Sequence, residues 1–129
     1  MRINFFDDPL QAPKAREDVR INRLGLFIYP DKRRVAVGID MTPFLEGPSL
    51  EIIIHNDTGE PAASLNVIET NDPNFSLTMH LRDSQPTEQY HIQVVLYFAK
   101  PGEDKLIVEK QTATFDVTRP GDQIIYQTS

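Results

Sequence analysis

The chain has 129 residues, 40% of them apolar and 25% charged, the length and balance of one globular domain and not of a disordered segment. It has no cysteine, which excludes disulfides, thiolate nucleophiles, iron–sulfur clusters and cysteine-ligated zinc. Residues 1–40 carry eight Lys/Arg against six Asp/Glu, residues 41–129 five against thirteen, for a net charge of −6; an acidic body repels phosphate backbones, so no nucleic-acid partner is expected.

The N-terminal stretch "MRINFFDDPLQ" meets acidic residues too soon for a signal peptide. No apolar run approaches the ~20 residues of a membrane span. The expected location is the cytoplasm, with no membrane partner. Pro9 and Pro13 favour extended backbone, so residues 1–18 are read as an extended arm. Burying Phe5 and Phe6 would contribute roughly 2–3 kcal/mol each. Both are therefore candidate contact residues, docked on their own sheet or on a neighbour's.

Strict alternation then dominates the chain. "VRINRLGLFIY" (19–29) starts in phase at Val19 and Ile21 and switches to Leu24, Leu26 and Ile28, the slip a β-bulge near Gly25 would produce. "YPDKRR" supplies a hairpin turn, and its basic cluster is read as a solvated tip that discourages edge pairing. "RVAVGIDM" puts Val35, Val37, Ile39 and Met41 on one face. "LEIIIHN" (50–56) is nearly all apolar, as a strand covered on both faces would be. "HNDTGEP" is a turn, and "ASLNVIE" (63–69) reads as a short edge strand. "FSLTMHLR" alternates at Phe75, Leu77, Met79 and Leu81, and "YHIQVVLYF" at Tyr90, Ile92, Val94, Leu96 and Phe98. "KLIVEKQTATFDV" (105–117) changes phase near Glu109–Thr112, a second expected bulge. Seven strands separated by turn signals predict an all-β, seven-stranded antiparallel sandwich over 19–118, with a C-terminal tail at 119–129.

The stretch "LRDSQPTEQYHIQVVLYF" resembles the E–F region of fibronectin type III and other immunoglobulin-like domains. The resemblance implies an immunoglobulin-like sandwich with Tyr90 in the tyrosine-corner position, two residues before the core residue Ile92. There is no tryptophan and no cysteine pair, so neither the fibronectin core Trp nor the immunoglobulin disulfide is available, and the fold class implies no activity on its own.

Motifs that carry chemistry are sparse. His55, His80 and His91 lie on polar phases. Strand pairing of the third with the sixth would bring His55 near His91, but a two-histidine metal site needs a third ligand, with only Glu51 or Gln93 near. "ETNDPN" (69–74) faintly resembles the calcium-binding linker of cadherins, yet Pro73 breaks that pattern and Asn and Asp are also plain turn residues. No serine sits in a Gly-x-Ser-x-Gly elbow, and no glycine-rich phosphate loop occurs. The chain is therefore read as non-enzymatic, without cofactor or metal.

The outer phase of the third, sixth and seventh strands holds Ile53, Val95, Tyr97 and Ile107, flanked by His55 and His91. An apolar group on an outer face calls for a cover, either the chain's own arm or a partner. The expectation is a module acting by protein–protein contact, self-associating as a homodimer. The alternatives are a carbohydrate- or small-ligand-binding sandwich, with Tyr29, Tyr97 and Tyr126 as platforms, and a histidine-dependent metal site.

Overall fold

The computed structural model describes residues 12–127. Phe5 and Phe6 lie outside them.

Eight strands form two four-stranded antiparallel sheets: β1 (Ile21–Ile28), β2 (Arg34–Met41), β3 (Ser49–Asn56), β4 (Pro61–Val67), β5 (Asn74–His80), β6 (Gln89–Phe98), β7 (Leu106–Asp116) and β8 (Gly121–Gln127). The first sheet has the order β5-β2-β1-β8 and the second β4-β3-β6-β7. The expected count of seven is thus corrected to eight. The added strand lies in the segment read as a tail. Its entry is a turn at "TRPG", where Asp116 accepts bonds from the Thr118 N–H (2.8 Å) and hydroxyl (2.5 Å) and Gly121 takes φ 108°, the left-handed region that favours glycine. Ile125 and Tyr126 then pack against the core while Ile124 is 57% exposed. Two adjacent isoleucines hide the alternation by which a strand is recognised.

The sheets close on each other through their inner phases. Leu24, Leu26, Ile28, Val35, Val37 and Ile39 from the first meet Leu50, Ile52, Ile54, Ile92, Val94 and Leu96 from the second, and all are essentially removed from solvent. Tyr90 and Phe115 stack at 5.7 Å and 18° at one end of this core.

Both phase slips in the sequence have structural counterparts. In β1 the pairing shifts between Ile21↔Met41 and Arg23↔Asp40, leaving Asn22 as the extra residue, and on the β8 side it shifts between Leu24 and Gly25. An extra residue turns the following side chains to the other face, so both Ile21 and Leu24 can point inward. In β7 the shift falls at Ile107–Glu109, where Tyr97↔Ile107 and Leu96↔Glu109 skip Val108, slightly before the expected position. It turns Glu109 inward at the sheet margin, where its Oε1 accepts the Ile21 N–H at 2.7 Å.

The chain ahead of β1 is fastened to one end of the sandwich. Lys14 forms an isolated parallel bridge with Phe44, and a 3-10 turn follows at Arg16–Asp18. Arg16 makes a two-pronged pair with Glu46 (2.8 and 2.6 Å), reaches Glu103 at 3.2 Å and stacks over the Phe98 ring at 5.3 Å.

Candidate functional site

One outer face and one buried polar cluster bring together most of the side chains singled out from the sequence. The cluster sits where the β3–β4 turn, the β5–β6 loop and the start of β6 converge. Asn56 ends β3 with its amide turned inward, because Asp57, Thr58 and Gly59 (φ 90°) make the tight turn that follows. Its Oδ1 accepts the Thr58 N–H, the Thr58 hydroxyl and the Glu60 N–H, while its Nδ2 donates to Asp83 Oδ2 at 3.0 Å and Gln85 O at 3.1 Å. Tyr90 donates its hydroxyl to the same Asp83 oxygen at 2.9 Å. Arg33 reaches the other, Oδ1, at 3.3 Å as an ion pair. Glu60 holds the outer side of the loop, accepting the Ser84 N–H (2.7 Å), the Ser84 hydroxyl (2.6 Å) and the Gln85 N–H (3.2 Å).

Burial alone would raise the Asp83 pKa. Donors from Asn56, Tyr90 and its own backbone, with the Arg33 charge, outweigh burial and hold the carboxyl below its ordinary range. Tyr90 is pushed up, first by burial and then by the Asp83 bond and charge. A buried carboxylate with several donors is a fixed anion, and the cluster staples three loops.

The sequence singles out Tyr90 only through the tyrosine-corner resemblance and does not mark Asp83, Asn56 or Glu60 as members of its cluster. The available signal is an aspartate directly after the last alternating residues of β5, in "LRDSQPTEQY"; Asn56 and Glu60 read as turn chemistry.

The outer face of β3, β6 and β7 brings the other candidates together. His55 pairs with His91 in register, Glu51 with Val95, Ile53 with Gln93, and Tyr97 with Ile107. Ile53 and His55 are half-buried. Val95 is only 3% and Tyr97 9% exposed, whereas Ile107 is 47% exposed; its neighbour Leu106 pairs with the inward Phe98 and lies on the other phase. Lys105 Nζ lies 4.2 Å above the Tyr97 ring, and Glu51 and Lys110 flank Val95. Half of the apolar group is therefore withdrawn from solvent within one chain, and its open part is the β7 margin with Ile53.

The histidines are adjacent but differently engaged. His91 Nε2 lies 3.0 Å from Asp57 Oδ1 and Nδ1 3.2 Å from Thr114 Oγ1; since a carboxylate only accepts, Nε2 carries the proton. Among the described residues, no group of three or more histidine or acidic side chains is gathered to hold a metal ion. In "ETNDPN" the oxygens serve their own turn: the Asp72 N–H bonds Thr70 Oγ1, and the Asn74 N–H bonds Asp72 Oδ1.

The tyrosine platforms are dispersed. Tyr29 lies under the Arg34 guanidinium at 4.2 Å and edge-on to Phe27, Tyr97 is covered, and Tyr126 packs at the core margin. The basic tip at 31–34 is tied down as well, with Arg34 Nε on Asp31 Oδ2 at 2.6 Å. No helix among the described residues is long and apolar enough to cross a membrane.

No family model matches the sequence, and no curated protein matches it. Among solved structures eleven chains match. One is catalytically inactive OgpA from Akkermansia muciniphila in complex with an O-glycopeptide substrate, at 12% identity and a TM-score of 0.55, covering 93% of this chain and 34% of that one. The chain thus spans about a third of that protein's length, and the likeness is one of fold.

Proposed function

We propose that this chain is a non-enzymatic, immunoglobulin-like module that acts by protein–protein contact and pairs with a second copy. The immunoglobulin-like reading is supported by strand order. Taken as A, B, C, E, F and G, strands β1, β2, β3, β5, β6 and β7 reproduce the A-B-E and C-F-G sets of that fold. β4 joins the C side and β8 is added beside A. Tyr90 occupies the tyrosine-corner position, with its hydroxyl on the Asp83 side chain in place of the upstream backbone.

The observation that carries the contact reading is Ile107, 47% exposed on the outer phase of a strand paired on one side only. The bulge and the inward Glu109 at that margin are devices that discourage edge-to-edge pairing, so the contact is through the face. A self-complementary patch there, centred on Ile107 and reaching Ile53, makes a two-fold dimer; a stable one needs about 800 Å² from each copy. Light scattering on the intact chain tests this. A mass of one chain that does not rise with concentration would overturn the self-association.

A further inference from the structure

The opposite margin of the second sheet, β4, is guarded only at its start, by Pro61 and a bulge at Ala62. β4 contains no charged residue, "PAASLNV", and only its first position is a proline. Natural edges are guarded by charge, proline, bulges or cover; beyond Ala62 this one has none of the first three.

The backbone direction follows from two bonds. The Asn56 N–H donates to Glu60 O, so the even-numbered residues of β3 face β4; their partners are Ala63, Leu65 and Val67. The N–H and C=O groups of Ser64 and Asn66 therefore point away from the sheet. Ala62 O also points outward and accepts the Arg82 N–H at 2.8 Å, while the Leu81 N–H bonds the O of Arg33, just ahead of β2 in the first sheet. Residues 81 and 82 thus close the corner between the sheets. Below that closure β4 and β5 leave a groove of about 360 Å³. Its floor is Ala63, Leu65 and Met79, from the inner phases of the two strands, and Thr78, His80 and Arg82 line its β5 side.

Charge indicates what the groove takes. Four arginines are committed to carboxylates: Arg16 to Glu46, Arg23 to Asp40, Arg33 to Asp83 and Arg34 to Asp31. Arg82 is exposed and pairs with no carboxylate among the described residues, and His80, two residues earlier on the same face, is exposed as well. Two uncommitted basic groups stand at the rim of an uncharged, apolar-floored opening beside an unguarded edge.

We infer that this groove accepts an extended peptide segment of a partner protein, which adds as a strand beside β4 and places a carboxylate side chain against Arg82 and His80. Main-chain bonds to Ser64 and Asn66 supply affinity. An apolar side chain over Leu65 and Met79 sets the register, and the carboxylate sets the direction of the strand. This surface is separate from the β7 face, so either contact can fail without the other.

Panning the intact chain against displayed random ten-residue peptides tests the inference. The expected pool alternates β-branched and polar residues with Asp or Glu near one end. Binding of a selected peptide should fall at least tenfold with Arg82→Glu and with Ser64→Pro, which removes an outward N–H that the fold does not use. Circular dichroism should show both variants folded, and Leu65→Lys provides a second block should Ser64→Pro not fold. No enriched sequence, a pool without carboxylates, or binding that survives Arg82→Glu would overturn it.

Discussion

The Tyr90 hydroxyl donates to Asp83 Oδ2 at 2.9 Å, with Tyr90 0% and Asp83 5% exposed. The bond joins the start of β6 to a loop seven residues upstream, and the same oxygen accepts from Asn56 at the end of β3. An anion buried this way is stable only while its donors remain. The loop that crosses between the sheets is therefore held by a cluster whose members depend on one another.

Tyr90→Phe keeps the ring stacked on Phe115 and removes one donor from Asp83. The expected loss is about 1–3 kcal/mol in urea unfolding. Asn56→Ala should cost a similar amount, and the double variant should depart from additivity because both groups serve one oxygen. Strict additivity would show that the two bonds act independently.

Stability should fall on acidification, with Asp83 and Glu60 contributing to the window alongside the lowered Asp31, Glu46 and Asp116. The Asp83 and Glu60 carboxyls are held below their ordinary values of 3.8 and 4.5, Glu60 chiefly by the Ser84 hydroxyl and N–H. A depressed folded pKa gives stability that is present above the unfolded value and is lost as pH falls through the folded one. Melting temperature should thus decline below about pH 4.5, with a shallower decline in Asp83→Asn. Tyr90, raised in the fold, acts at the other end: its contribution is intact below its ordinary value of 10 and is lost as pH rises through the folded one.

Gly47→Ala should be disruptive although the residue lies in a loop. An added Cβ would stand 2.3 Å from Thr70 O, a backbone atom held in place by the Thr70 N–H on Pro48 O. Glu69 beside it has φ 47° and donates its N–H to Ser49 Oγ, so the segment has little room to yield. A loss of about 1–3 kcal/mol is expected, read as a lowered melting temperature. A neutral result would mean that the two loops separate freely.

The facing of β8 can be read from a pair of substitutions. Ile125 packs against the core and Ile124 is 57% exposed. Ile125→Asp should cost more than about 2 kcal/mol through burial of a charge, while Ile124→Asp stays within about 0.5 kcal/mol. The reverse order would mean that β8 sits one residue out of register.

Much of the sandwich was legible because a half-buried strand writes its facing into the sequence at period two. Val35, Val37 and Ile39, or Ile92, Val94 and Leu96, admit one orientation only. Even the bulges left a trace, since an extra residue at Asn22 breaks the phase between Ile21 and Leu24. What escaped was written in other terms. β8 has Ile124 and Ile125 side by side, with no phase to read. The Asn56–Asp83–Tyr90 cluster joins residues 27 and 7 positions apart, and polar side chains in turns look alike whether they bond their own backbone or a distant loop. The outer face was legible in phase but not in exposure: spacing turns Val95 and Tyr97 outward, and their cover depends on neighbours that a single strand does not show.

The mass of the protein in solution tests the central claim most directly. Sedimentation at micromolar concentration should give twice the 14.7 kDa chain mass, and Ile107→Glu, which places a charge at the centre of the proposed face, should return it to one chain without lowering the melting temperature. A single-chain mass across the concentration range, or a dimer that persists in Ile107→Glu, would contradict contact through the β7 face.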